Sequence, residues 1–173
     1  NNRIEANTAL DGGSAGITVS ESTGNELVGN TAQNNGGGGI GLELSNNNLL
    51  LSNDVRFNSG GINLTGSSGN RLEANYASSA GGSGIELADL SLDNEIVNNT
   101  IIGNSGEGIY IGDVAPVGQG NLIESNVVSS NGGDGISVNG GGHTITDNTA
   151  DLNGGWGIYA AVTGMDGGNN RAL

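Results

Sequence analysis

Apolar residues fall along this chain in short alternating runs that return at a nearly constant interval. Aligned on Asn-x-(Ile/Leu)-x-x-Asn, the repeats start at Asn2, Asn25, Asn48, Asn70, Asn94, Asn121 and His143, at intervals of 23, 23, 22, 24, 27 and 22 residues. A partial repeat follows from Asn169 or Asn170. Two positions into each repeat stands a branched apolar residue: Ile4, Leu27, Leu50, Leu72, Ile96, Ile123 and Ile145. Five positions in stands asparagine, at Asn7, Asn30, Asn53, Asn75, Asn99, Asn126 and Asn148, followed two residues later by Ala9, Ala32, Val55, Ala77, Ile101, Val128 and Ala150. Each repeat closes on Gly-Ile-x-apolar, from Gly16-Ile17-Thr18-Val19 to Gly157-Ile158-Tyr159-Ala160. Alternation with period two over three or four residues, bounded by Asn and Gly, predicts short strands with one buried face.

A repeat of this length cannot bury its apolar face alone. Stacked repeats place identical positions ~4.8 Å apart and build a continuous core. The prediction is therefore an all-β fold, a parallel β-helix of about seven coils with 22–27 residues per coil over residues 1–173. Its hand is right, because parallel crossovers are almost always right-handed. The repeated asparagines are expected to form a ladder of side-chain amides at a bend, where Asn tolerates a left-handed backbone. The glycine before each Ile fits a tight corner or a position with no room for a Cβ. Both termini fall near the same phase of the repeat and neither reads as a capping helix. The expectation is a fragment of a longer solenoid, flanked by further coils of its parent, or copies stacked head to tail.

Composition alone points elsewhere, since 35 glycines, one proline and 3% aromatic residues resemble a disordered chain. The fixed period overrides that impression. A net charge of −14 disfavours nucleic acid and anionic membrane surfaces as partners, leaving cations, sugars or basic proteins. Cysteine is absent, which removes disulfides and thiolate metal sites. No apolar run approaches the ~18 residues of a membrane span, and Asn1-Asn2-Arg3 does not open a secretion signal.

Stacking predicts which outward side chains become neighbours. On the Gly-Ile strands the outward column reads Thr18, Gly41, Asn63, Glu86, Tyr110, Ser137 and Tyr159. Asp89 and Asp113 fall on consecutive coils beside Glu86, and a like-charged pair so placed is relieved by solvent, a cation or a shared proton. Glu86, Asp89 and Asp113 are thus the catalytic candidates of an acid-dependent enzyme. Calcium is the candidate metal, at Asp89 and Asp113 or at a second stacked pair, Glu107 and Asp134. Gly132-Gly133-Asp134-Gly135-Ile136-Ser137 is not the calcium nonapeptide, which needs Asp at Ser137 and a nine-residue period. Glu86, Tyr110, Trp156 and Tyr159 form a candidate sugar platform. His143, the only histidine, stands where other coils have Asn and reads as its structural substitute. The basic residues are four arginines, with Arg3 and Arg71 expected to pair with Glu26 and Glu95 across coils, and Arg56 with Asp54. Thr8, Thr31, Thr100 and Thr149 share a position, but Asp54, Tyr76 and Val127 interrupt an ice-binding array.

These repeats resemble the right-handed parallel β-helix repeat proteins, the superfamily of pectate lyases, polygalacturonases and many exported bacterial proteins. The resemblance covers essentially the whole chain. It implies a secreted, cell-surface or periplasmic setting and a polysaccharide partner. It does not choose among lyases, hydrolases, epimerases, tailspikes and non-catalytic adhesins. Because lyases of the superfamily use a Lys or Arg base that the Gly-Ile strands lack, a non-catalytic structural or adhesive segment is the expected function. A polysaccharide-active enzyme and a self-assembling solenoid are the alternatives.

Overall fold

The computed structural model describes residues 1–112, 115–116, 118–161 and 166–173. Each coil contributes one strand to each of three parallel sheets. The first sheet has eight strands, from Arg3–Glu5 to Asp166–Gly168, and the second has eight, from Thr8–Leu10 to Arg171–Ala172. The third has seven, from Ile17–Ser20 to Ile158–Ala160. The strand register matches the sequence alignment coil for coil: Ile4 pairs with Leu27, Ala9 with Ala32, and Ile17 with Ile40. The core is one column of inward side chains, including Leu27, Leu50, Leu72, Ile96 and Ile123 from the first sheet and Ile40, Ile62, Ile85, Ile109 and Ile136 from the third. Among the described residues there is no helix.

The final partial coil departs from the predicted phase. Asn170 accepts from the backbone N–H of Asn148 at 3.0 Å, so it continues the ladder, and the strand Asp166–Gly168 precedes it. The partial coil thus begins before Asn169.

The amide ladder runs through all seven coils and saturates each buried amide. Asn30 donates from its backbone N–H and from Nδ2 to Asn53 Oδ1, at 2.9 and 3.0 Å, and its second Nδ2 hydrogen goes to Ile4 O at 2.9 Å. Such saturation is what makes a buried polar side chain tolerable. Three further ladders run beside it. The coil-start asparagines Asn2, Asn25, Asn48, Asn70, Asn94 and Asn121 bond in the same way. A second amide series contains Asn35 and Asn58, then Asn104, Asn131 and Asn153. Ser22, Ser45, Ser67 and Ser91 form a hydroxyl series. The second amide series is broken once. Asn58 faces Ala80 and makes neither of the bonds that its counterparts send to the next coil.

The bends correct one expectation. The ladder asparagines are not the left-handed residues; the residue before each of them is. Ala6, Ser52, Ala74, Asn98, Ser125 and Asp147 have φ of 52–56°, and Gly29 has 59°. The same holds before the other ladders, at Asn34, Phe57, Leu44 and Asp93. One left-handed residue turns the chain from one sheet to the next, and the residue after it then points inward along the stack. The glycine before each Ile is required for space. A Cβ on Gly108 would run into Val128 Cγ1 and lie 2.5 Å from Gly135 O.

Outside the core, the first sheet shows a longer order. Its outward columns read Arg3, Glu26, Leu49, then Arg71, Glu95, Leu122, beside Glu5, Val28, Leu51, then Glu73, Val97, Glu124. Arg3 bonds Glu5 at 2.8 Å and Glu26 at 2.5 Å, and Arg71 repeats the arrangement with Glu73 and Glu95.

Candidate functional site

The third sheet carries the candidate site. Ile85 and Leu87 point inward and are fully buried, which turns Glu86 outward between Asn63 and Tyr110 of the adjacent coils. Ser137 and Tyr159 continue that column. Glu86 makes no hydrogen bond or ion pair with any described residue. Tyr110 is oriented by Asn139, whose Nδ2 donates to the phenolic oxygen at 3.1 Å. That contact is diagonal across coils, so sequence alignment did not reveal it. Asn63 lies across Gly38, where a Cβ would meet its Nδ2 at 2.7 Å, and its Oδ1 is buried without a partner.

Glu107 and Asp134 sit at the leading edge of the sheet, in the column that also holds Ser83 and Trp156. Ser83 Oγ donates to Glu107 Oε2 at 3.2 Å, and the backbone N–H of Trp156 donates to Asp134 Oδ1 at 2.7 Å. The Trp156 side chain is left open, with the residue 68% exposed, and Tyr159 three residues on is 39% exposed. At the trailing edge Asp89 occupies a left-handed bend with φ of 55° and faces solvent. Asp113 lies outside the described residues. Among the described residues no three Asp, Glu or His side chains gather closely enough to hold a metal ion.

The remaining polar residues serve the stack. His143 is buried, and its Nδ1 accepts from the backbone N–H and Nδ2 of Asn121 at 3.1 and 3.3 Å. The imidazole thus replaces an amide oxygen. Arg56 bonds Asp54 at 2.6 and 2.5 Å and lies 5.8 Å from the Tyr76 ring centroid. Arg171 pairs with Asp151 at 3.3 Å, an ion pair that the sequence did not suggest. The threonine column stacks as predicted but is interrupted by Asp54, Tyr76 and Val127.

Comparison with known proteins bears first on the family. The model of the right-handed β-helix region matches residues 1–150. The chain belongs to that family. No curated protein sequence matches it. Among solved structures, this β-helix is similar to the periplasmic alginate epimerase AlgG, with a TM-score of 0.80 and 19% identity over 95% of this chain and 43% of that one. It is similar to the A-module of the Azotobacter vinelandii mannuronan C-5 epimerase AlgE4, with a TM-score of 0.69 and 15% identity over 98% of this chain and 54% of that one. It is also similar to the alginate lyase of Paenibacillus sp. str. FPU-7, with a TM-score of 0.64 and 17% identity over 92% of this chain and 69% of that one. At these identities the likeness concerns the fold. The β-helix spans less than half of AlgG. Among the described residues, no helix is long and apolar enough to cross a membrane.

Proposed function

We propose that this β-helix acts on a polysaccharide outside the cytoplasm, with the glycan lying along the third sheet. The observation that carries the reading is Glu86, a carboxylate with no hydrogen-bond or ion-pair partner among the described residues, at the centre of an outward column that also holds Asn63, Tyr110 and Tyr159. Trp156 flanks the column and offers a flat apolar ring to a sugar face, with polar neighbours for its hydroxyls. From Glu86 to Tyr159 is three coils, or ~14 Å at the strand spacing, room for several sugar units. The structural neighbours named for alginate epimerase and lyase activity favour this reading over a purely structural role.

In the catalytic form of the proposal, Glu86 transfers the proton, Tyr110 held by Asn139 orients the sugar, and Asp89 is the second acid. Turnover of a polysaccharide panel tests it, with and without calcium. Glu86→Gln should lower turnover by ~100-fold or more while leaving binding intact, the scale of a lost general acid or base. Wild-type protein that binds but turns over nothing would support the adhesive reading instead. In either form, Trp156→Ala should weaken glycan binding by ~5-fold, read by titration calorimetry, since stacking on an exposed ring contributes on the order of 1 kcal/mol.

A further inference from the structure

We infer that the glycan held on the third sheet carries no negative charge. This inference rests on the reading of that face as a polysaccharide site and concerns which polysaccharide it takes.

The charge of the chain is divided by sheet. Arg3 and Arg71 lie on the first sheet, and Arg56 and Arg171 on the second. The sequence has no other Lys or Arg. All four arginines are engaged by acids: Arg3 by Glu5 and Glu26, Arg56 by Asp54, Arg71 by Glu73 and Glu95, and Arg171 by Asp151. The third sheet has no basic side chain on any of its seven strands. Its outward face and edges carry Glu43, Glu86, Asp89, Glu107 and Asp134. Among the described residues, no arginine pairs with Glu86, Glu107 or Asp134.

A polyuronate laid on this face would bring its one carboxylate per sugar against Glu86 and against the stacked pair Glu107 and Asp134 in the neighbouring column. Two like charges ~4 Å apart repel by ~1 kcal/mol even in water, and no guanidinium is available to offset the row. The groups that remain for recognition are uncharged or acidic. Trp156 and Tyr159 offer rings, Asn63 and Asn139 offer amides, and Glu86 accepts hydrogen bonds from hydroxyl or ammonium groups. That set fits neutral sugars and amino sugars. It separates this chain from the structural neighbours named for alginate and mannuronan, which are polymers of uronic acids.

The test is a glycan array of neutral, amino-sugar, uronic-acid and sulfated oligosaccharides, probed in metal-free buffer at low salt. Glucose, glucosamine and mannuronate hexasaccharides are then titrated by calorimetry. The expected result is binding confined to neutral and amino-sugar glycans, with the mannuronate hexamer at least ~10-fold weaker at low salt. That gap should shrink in 0.5 M salt, where the screening length falls to only a few ångströms (~4 Å). Replacing Glu86, Glu107 and Asp134 together by Gln, Gln and Asn should raise mannuronate affinity. Tight mannuronate binding by the wild-type protein in metal-free buffer would overturn the charge inference while supporting the glycan reading. Binding of no glycan on the array would overturn the reading of the face, and the inference with it.

Discussion

Before Asn30 the chain turns at Gly29, whose φ is 59° and whose missing Cβ would meet nothing within 4 Å. Gly29→Ala therefore isolates the cost of a left-handed backbone, and about 1 kcal/mol of destabilisation is expected in a denaturant melt. Asn99 tests the residue that follows such a bend. It accepts from Asn75 N–H and Nδ2 and donates to Asn126, Leu72 and Val97. Asn99→Ala orphans the two donors of Asn75 and takes a donor from the Leu72 and Val97 carbonyls and from Asn126 Oδ1, and should cost ~3 kcal/mol or more in the same measurement. The ladder was legible in sequence because the side chain that builds it recurs in every coil. The left-handed residue was not, because its own side chain points to solvent and is free to be Ala6, Ser52, Asn98 or Asp147. The second amide ladder and the serine ladder escaped notice for a related reason: Gly12 and Ala80 stand in for asparagine, and serine recurs in only part of the stack.

The three sheets share one core but differ in what their outer faces do. On the first sheet, the arginines bind acids within a strand and across to the next coil. Hydrogen bonding from Arg3, reinforced by its charge, holds the Glu5 carboxyl below the ordinary carboxylate range. Because the folded-state value is the lower one, this contribution is fully present above the unfolded value of ~4.3. It is lost as pH falls through the lowered value. Arg3→Gln should move the Glu5 titration, followed by carboxyl NMR shifts, back up to the ordinary range. Exposure and screening keep the pair's effect on stability small. The third sheet has no such ion pairs among the described residues. Its inward residues were legible from Gly-Ile alternation, and so was the outward column of Glu86, Tyr110 and Tyr159. The contacts that orient this face, from Asn139 to Tyr110 and from Trp156 N–H to Asp134, run diagonally or through the backbone, so aligned positions could not show them.

A stack of coils has stability that is approximately a sum of coil terms and nearest-neighbour interfaces. Those interfaces are not equal here. Between the first and second coils, and again between the fourth and fifth, an arginine bridges to a glutamate. Between the third and fourth, Leu49 and Leu51 meet Arg71 and Glu73 with no such bridge. The same interface holds the one interruption of the second amide series, at Ala80. Ala80→Asn should restore two amide bonds and raise stability by ~1–2 kcal/mol in thermal or denaturant unfolding. On the first sheet this gap falls where the order of Arg, Glu and Leu starts again, while on the second sheet Arg56 of the third coil still lies 5.8 Å from the Tyr76 ring of the fourth. Force spectroscopy along the axis should therefore register a higher rupture force at the interface after Asn58 in Ala80→Asn than in the wild type, because the substitution closes the amide gap there.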